Sequence, residues 1–152
     1  MNELEELIEK DYLFSRFVRE EDLELCEKLV AQPELVNFQG HYVSKDWLRE
    51  LCKDGISYII EQKDKGVIGC IFAEKLKMNG ALLWLIAIDP KYKNQGYGTI
   101  LLKNFEQNCQ QIHNIEWIVL YSTTNSSYNK HFYTKNGYEN GSGSFYEFGK
   151  EL

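Results

Sequence analysis

The stretch DPKYKNQGYGTILL, residues 89–102, combines residue types that suit the binding of an anion. It contains two lysines, Lys91 and Lys93, and two glycines, Gly96 and Gly98, between an apolar run and a helical pattern. A strand, a glycine loop and a helix start present unpaired backbone N–H groups to a ligand. Glycine also lacks the Cβ that would keep a ligand away from the main chain. The stretch therefore predicts a phosphate or pyrophosphate site.

The predicted phosphate ligands are the backbone amides from Gln95 to Thr99. They fall in the loop and the first helical turn, where the helix macrodipole adds about half a positive charge. Two other phosphate-binding patterns do not fit. The P-loop sequence G-x-x-x-x-G-K-[ST] is absent, and a dinucleotide-binding fingerprint would need a third glycine where Leu101 stands.

The elements around this stretch predict an α/β fold. Residues 81–88, ALLWLIAI, are apolar throughout and predict a strand that is buried on both faces. From Gly96 the pattern becomes helical, and residues 116–121 predict another buried strand. A second helix is predicted from Asn125, as its N-cap, to Asn136. The helical row has the spacing i, i+4 and consists of Tyr97, Leu101, Phe105 and Cys109.

The first half of the chain predicts a strand, two helices and a hairpin. The strand covers 12–18, the first helix covers 20–31, and the second helix begins after Ser44, its predicted N-cap. Residues 56–62 and 67–76 predict the two strands of an antiparallel hairpin, and a last hairpin is expected around 141–143. We expect a single domain over residues 1–152 with an acidic helical arm at 1–11. Its mixed, mostly antiparallel sheet would have about six or seven strands flanked by helices.

Composition narrows the class of protein. The net charge of the 152 residues is -6, and residues 1–24, with nine acids and three bases, account for all of it. No basic face is evident, so a nucleic-acid partner is not expected. The four cysteines have no metal-binding spacing, which predicts free thiols, no metal and a cytoplasmic protein. No window approaches the length of a membrane span, so no membrane partner is expected.

The glycine stretch and the strand before it resemble the acetyl-CoA signature of the GNAT N-acetyltransferases. That family has a buried strand and then [RQ]-x-x-G-x-[GA] at the start of a helix. Lysine replaces the usual arginine or glutamine at the first position, which keeps the charge and loses the bidentate fork. The six matching residues are Lys93, Asn94, Gln95, Gly96, Tyr97 and Gly98.

A second segment, NSSYNKHFYTKNGY at 125–138, also resembles the family. It has an asparagine, a helix, a tyrosine and a glycine followed by an aromatic residue, with Tyr133 four residues before Gly137. The spacing departs from the family by one residue between Asn125 and Tyr133, and Asn136 stands at a usually apolar position. The two resembling segments together cover most of residues 56–152.

The resemblance implies acetyl-CoA as co-substrate and a splayed pair of parallel strands at 82–88 and 116–121. The pantetheine arm would lie between them and bind the backbone of Ile86, Ala87 and Ile88. An amide near Ile88 would polarise the acetyl carbonyl, so that an apolar strand could still take part in catalysis. The remaining cofactor contacts implied are the loop residues 93–98, Thr99 and Asn125.

The implied reaction is the direct attack of a primary amine on the acetyl thioester in a ternary complex. Tyr133 is the candidate general acid, because an unperturbed phenol with a pKa of about 10 is protonated at neutral pH. Tyr133 could instead only pack against the cofactor. The general base stays open: a chain of waters is one candidate, and side-chain candidates are Glu74, Asp89, Glu116, Tyr121 and His41.

Several alternatives stay open at this point. The acceptor amine could belong to a small molecule or to a peptide, and the acyl group could be larger than acetyl. The segment 32–46 and the tail hairpin could line the amine pocket. The protein could be a monomer or a homodimer. A different class of function is a CoA-binding sensor or scaffold without catalysis, which the absence of an evident base and the changed Lys93 would suit.

Overall fold

The computed structural model describes residues 13–36, 40–121, 127–140 and 147–152. The predicted acidic arm at 1–11, Asn125 and the predicted turn at 141–143 lie outside these ranges. Within them, the chain forms one sheet with helices on both faces.

Over the residues that the structure describes, the sheet has seven strands in the order β1-β2-β3-β4-β5-β7-β6. β4 and β5 run parallel and the other neighbours run antiparallel, which confirms the predicted mixed, mostly antiparallel sheet. The predicted strand boundaries are confirmed to within two residues for β1 to β5. The strands are β1 Leu13–Phe17, β2 Tyr58–Gln62, β3 Gly66–Leu76, β4 Gly80–Ile88, β5 Trp117–Tyr121, β6 Glu139–Asn140 and β7 Glu147–Glu151.

In the described ranges four α-helices flank the sheet, and the predicted cap and helical row can be compared with them. Ser44 caps the second helix, as predicted, since its Oγ accepts a hydrogen bond from the Trp47 amide at 3.2 Å. The four residues of the predicted helical row are all buried on the third helix. Gly137, with φ of 91°, follows the fourth helix. The helices are α1 Leu23–Leu29, α2 Lys45–Leu51, α3 Tyr97–Gln111 and α4 Ser127–Lys135.

The sheet separates two hydrophobic cores. The α3-side core contains Leu101 and Phe105, both fully buried, against the centre of the sheet. The α1/α2-side core contains Leu23 and Leu48. β4 contributes to both cores, so its path decides what each face of the sheet presents.

A β-bulge divides β4. Phe72 of β3 lies opposite Leu85, whereas the next residue, Ala73, lies opposite Leu83. Trp84 is therefore an extra residue in β4. Because side chains alternate along a strand, one extra residue exchanges the two faces beyond it.

The exchange is visible in the cores. Before the bulge, Ala81 and Leu83 point into the α3-side core. After it, Leu85 and Ala87 point into the α1/α2-side core, and Ile86 packs against the α3-side core instead. An apolar run with no polar marker thus changes face within a single strand.

The parallel pair splays beyond the bulge. Among the described residues, β4 pairs with β5 only from Gly80 to Leu83, against residues Trp117 to Leu120, although β4 continues to Ile88. The expectation that the strand is buried on both faces is wrong for this part, because Trp84 is 41% exposed and Ile86 is half-buried. Both face the cavities that the splay opens.

We expect Gly69→Ala to destabilise the sheet beside this gap. A Cβ at Gly69 would lie 2.6 Å from the carbonyl oxygen of Ala87 and 2.6 Å from Ile88 Cδ1. Overpacking of this kind costs about 1–3 kcal/mol. Urea unfolding should show this loss, with Gly149→Ala as the control, since a Cβ there would meet the Ile118 carbonyl at an ordinary 3.5 Å. Equal stability of the two variants would contradict the prediction.

None of the helices in the described ranges has both the length and the hydropathy required to cross a bilayer.

Candidate functional site

The turn before α3 is held by two residues in the left-handed region. Asn94 has φ of 63° and Gly96, the N-cap of α3, has φ of 87°. The first hydrogen bond of the helix runs from the Ile100 amide to the Gly96 carbonyl at 3.2 Å. The amides of Tyr97, Gly98 and Thr99 precede it and lie at the positive end of the helix. These free amides lie where the sequence predicts a phosphate site, and the site itself stays a prediction.

The two glycines of the turn differ in what they do for the chain. Gly96 is required by its positive φ, which few other residues adopt without strain. A Cβ at Gly98, in contrast, would meet the Phe132 ring at 3.6 Å, an ordinary contact distance. The fold itself therefore tolerates a side-chain atom at Gly98. A ligand that approaches the main chain closely would explain glycine at this position.

A cavity of about 310 Å³, here called the loop cavity, lies between the turn, the end of β4 and α4. It brings together ten of the twelve residues that the sequence singled out. Gln95 does not line it, and Asn125 lies outside the described residues. The ten are Ile86, Ala87, Ile88, Lys93, Asn94, Gly96, Tyr97, Gly98, Thr99 and Tyr133.

The backbone of β4 directs two amides toward the gap. The Asp89 amide donates to the Ile68 carbonyl of β3 at 2.8 Å, so it points toward β3. Because successive peptide groups of a strand point to opposite edges, the amides of Ile88 and Ile86 point away from β3. The Ile88 carbonyl accepts a hydrogen bond from the buried Gln32 side chain at 3.1 Å, which fixes the end of the strand.

Lys93, at the first position of the motif, is paired across the loop cavity. Its Nζ lies 2.8 Å from Glu34 Oε1, and both side chains are less than half exposed. The Lys93 ammonium lowers the pKa of the Glu34 carboxyl below its ordinary value by hydrogen bonding, so Glu34 is ionised at neutral pH. The sequence pointed to Lys93 individually and to Glu34 only as part of the segment 32–46.

We expect Lys93→Ala to weaken acetyl-CoA binding by less than about fivefold. A partly exposed lysine–phosphate pair contributes about 0.2–1 kcal/mol, and Lys93 must first leave Glu34. Calorimetry at two salt concentrations would measure the effect, which should shrink as salt screens the charge. A loss of twentyfold or more would show that Lys93 is a principal phosphate ligand.

A second cavity of about 340 Å³, here called the tryptophan cavity, lies beside the bulge on the other side of the gap. Trp47 and Trp84 form part of its wall, with their ring centroids 5.3 Å apart in an edge-on arrangement. Five residues line both cavities and so mark where they meet. These are Glu34, Leu35, Ile86, Asn129 and Tyr133.

Tyr133 stands at this junction. It lies on α4, is half-buried, and its ring packs against Phe132, Tyr138 and Phe148 with centroid distances of 5.2, 5.9 and 5.7 Å. Burial raises the pKa of the Tyr133 phenol above its ordinary value. The hydroxyl is therefore a proton donor, not a phenolate, at neutral pH.

The candidate general bases differ in their position relative to the two cavities. Tyr121 lines the tryptophan cavity. Asp89 accepts a hydrogen bond from the Lys91 amide at 3.0 Å as a turn cap. Among the residues that line the two cavities in the described part of the chain, Glu74, Glu116 and His41 are not found.

The structure also shows the surroundings of the cysteines and of the side chains that could bind a metal ion. Cys26, Cys70 and Cys109 are buried and unpaired, and burial raises the pKa of Cys109 to about 12, which disfavours a nucleophilic thiolate. Across the described ranges, no group of three histidine, cysteine, aspartate or glutamate side chains could hold a metal ion.

Sequence reasoning missed several residues that line the cavities. Asn129 and Phe132 lie on α4 with Tyr133, four residues and one residue before it. Their proximity to Tyr133 on a predicted helix could have indicated that they line the same site. Gln32 precedes a short turn, Pro33–Leu35, and Glu34 lies within it; both belong to the segment 32–46 that was expected to line the amine pocket, but nothing in the sequence marked them individually. Lys135 adds a second positive charge to the lining of the loop cavity.

A family model described as an acetyltransferase (GNAT) domain matches residues 53–140, more than half of the chain. A search among curated proteins gave no match.

Many solved structures share the fold. The Ard1 protein from Thermoplasma volcanium has a TM-score of 0.74 at 20% identity, over 92% of this chain and 97% of that one. A mutant SpeG spermidine N-acetyltransferase from Vibrio cholerae has a TM-score of 0.72 at 19% identity, over 91% and 93%. The PaiA N-acetyltransferase from Thermoplasma acidophilum, in complex with coenzyme A, has a TM-score of 0.68 at 22% identity, over 92% and 99%.

Proposed function

The chain belongs to the GNAT acetyltransferase family, and we propose that it transfers an acetyl group from acetyl-CoA to a primary amine. The transfer takes place by direct attack in a ternary complex, with Tyr133 as general acid. Family membership makes the chain an acyltransferase. The acetyl donor, the residues and the mechanism are the content of the proposal.

The observation that carries the proposal is the meeting of two cavities at the splayed end of β4. One has an anion-binding helix start, and the other has an apolar wall. Ile86 and Tyr133 line both. A donor in one cavity and an acceptor in the other would meet where a backbone amide and a phenol are both present, which suits transfer between two bound molecules.

The residues of the loop cavity fit acetyl-CoA. The amides at the start of α3 would hold the pyrophosphate, with Lys93 and Lys135 adding charge. The backbone of residues 86–88 would hold the pantetheine arm in the gap that β5 leaves open. Acetyl-CoA, when bound, supplies the activated acetyl thioester. Asn125 and Gln95 remain proposed contacts on the resemblance alone, whereas Asn94 also lines the loop cavity.

The chain's own groups would then act on the reacting atoms. The Ile88 amide would donate to the acetyl oxygen as negative charge develops there, a role that needs no side chain. The Tyr133 hydroxyl would give its proton to the departing sulfur, and its raised pKa keeps that proton in place until then. Tyr121 or water would accept a proton from the amine.

A thiol-release assay tests this proposal. The protein is mixed with acetyl-CoA and a pooled library of primary amines, and free thiol is measured. We expect CoA release only when an amine is present, with an acetylated amine detected by mass spectrometry. Tight CoA binding by calorimetry without turnover on any amine would support a sensor or scaffold instead.

Three further expectations stay proposals. We propose that residues 1–152 form one acetyltransferase domain, that the protein works in the cytoplasm and that it is a monomer or homodimer. Size-exclusion chromatography with light scattering would decide the last.

A further inference from the structure

We propose that the acceptor is an amine with one positive charge and an apolar body, which binds in the tryptophan cavity with its ammonium toward Glu34. This inference rests on the proposed function. It excludes polyamines as the preferred substrates.

The wall of the tryptophan cavity is apolar and aromatic. Leu51 and Leu85 are buried in it, and Trp47 is half-buried. Trp84 and Tyr121 are 41% and 55% exposed, so two large aromatic side chains face solvent at the cavity. Exposed aromatic surface gathered at a cavity indicates a ligand with apolar surface to cover it.

The bulge is what places Trp84 there. As the extra residue of β4, it projects on the splayed part of the strand and meets Trp47 of α2. A polar side chain at this solvent-exposed point would cost the fold little, because the residue is not part of either core. Tryptophan at this point is therefore better explained by a ligand than by folding.

One charged group serves this cavity. Within the described part of the chain, Glu34 is the sole charged side chain among the lining residues, and it lies where the two cavities meet. Lys93 binds one oxygen of its ionised carboxylate, Oε1, and the other oxygen could hold one substrate ammonium at the junction that Tyr133 also lines. A second ammonium deeper in the cavity would find leucines and tryptophans, and burial of an unpaired charge is unfavourable.

The volume agrees with a small molecule. About 340 Å³ is near the lower end of the range for small-molecule sites. A peptide would also bring several backbone amides, and the polar side-chain groups in the described lining are limited to one carboxylate, one amide, two indole N–H groups and two hydroxyls, from Glu34, Asn129, Trp47, Trp84, Tyr121 and Tyr133. An alkylamine or arylalkylamine matches both the size and the polarity.

The test compares two amines of equal size. n-Heptylamine and hexamethylenediamine have the same number of non-hydrogen atoms and differ by a methyl group against a second ammonium. With saturating acetyl-CoA, we expect kcat/KM for n-heptylamine to exceed that for the diamine at least about fivefold. Phenethylamine should be accepted, and spermidine should be poorer than either monoamine. A preference for the diamine, spermidine or an apolar amino-terminal peptide would overturn the proposal.

Two variants localise the effect. Trp84→Ala should raise KM for n-heptylamine about fivefold and leave KM for the diamine within about twofold, since only the apolar contact is lost. Phe14→Ala, at an exposed aromatic residue on β1, is the control and should change neither. Glu34→Gln should raise KM for both amines and should not weaken acetyl-CoA binding, because Lys93 is released from its pair. Unchanged amine KM values in Trp84→Ala would overturn the proposal.

A binding measurement keeps this inference separate from the proposed function. Tryptophan fluorescence is titrated with n-heptylamine in the presence of CoA, in the parent protein and in Trp84→Ala. Binding without turnover would uphold the apolar amine site and overturn the proposed catalysis. Turnover of diamines without any response to n-heptylamine would uphold the proposed catalysis and overturn the apolar amine site. No binding of n-heptylamine and no turnover would overturn both.

Discussion

Replacing Tyr133 with phenylalanine is expected to lower kcat by about 100-fold or more, because loss of a general acid typically costs 10²–10⁴-fold. The substitution removes one oxygen and keeps the ring, so the packing against Phe132 and Phe148 is retained. Acetyl-CoA affinity should therefore change less than about threefold, a selective loss of transition-state stabilisation. Steady-state kinetics on an amine from the library, together with calorimetry, measures both quantities.

Tyr138 supplies a matched control. It lies beside Tyr133, with ring centroids 5.9 Å apart, is almost fully buried and lines neither cavity. Tyr138→Phe removes a hydroxyl from the same cluster, so a similar drop in kcat there would indicate a general effect of the cluster. A near-normal kcat in Tyr133→Phe would leave protonation of the sulfur to water. A joint loss of affinity and kcat would make Tyr133 a binding residue.

The pH dependence follows from the raised pKa of Tyr133. Its acid form is the active one, so activity that depends on it is lost only as pH rises past its pKa. Because burial places that pKa above the ordinary value of about 10, the phenol gives no decline of kcat between pH 7 and about 10. A declining alkaline limb in this range that persists in Tyr133→Phe would belong to another group.

Gly98→Asp is the change with the second largest expected effect. It places a carboxylate at the start of α3, where the pyrophosphate of acetyl-CoA is proposed to bind. Repulsion between like charges in a partly buried site costs more than about 1.4 kcal/mol, which corresponds to an affinity loss of at least about tenfold. Calorimetric titration with acetyl-CoA measures it, and unchanged affinity would place the cofactor elsewhere.

Gly98→Ala separates steric from electrostatic causes. The structure accommodates a Cβ at an ordinary distance from Phe132, so thermal stability should be close to that of the parent protein. Any loss of acetyl-CoA affinity in this variant would then come from the ligand's approach to the main chain. A loss smaller than that in Gly98→Asp is expected. Equal losses would mean that charge contributes nothing at this position.

The sequence predicted those parts of the fold that depend on interactions between residues close together in the chain. The glycine turn was predictable because Gly96 follows a strand and precedes a row of apolar residues at helical spacing. Ser44 was predictable as a cap from its position before a helical pattern. The parallel pair followed from the resemblance, and the register between Gly80 and Trp117 confirms it.

The parts that depend on contacts between distant residues were not predictable. Glu34 and Lys93 are 59 residues apart in the chain, and nothing in either local sequence indicates that they meet. The bulge at Trp84 leaves no mark either, because every residue around it is apolar. The exposure of Trp84 therefore contradicted the expectation of a strand that is buried on both faces. The segment 32–46 was expected to line the amine pocket, and part of it lines the tryptophan cavity, but the share of β4 in that cavity was not predicted.

β4 makes the site depend on a count of residues as well as on their identity. Deletion of Trp84 would restore an unbroken ladder with β3 and would keep every pairing beyond it, since Leu85 already lies opposite Phe72 and Ile86 opposite Ile71. Loss of the bulge at unchanged length would instead bring Trp84 opposite Phe72 and Ile86 opposite Cys70. The side chains of Ile86 and Ile88 would then turn toward α1 and α2, and their amides would turn toward β3, away from the gap. The extra residue, and not the apolar character of the run, therefore decides which groups of β4 face the cavities.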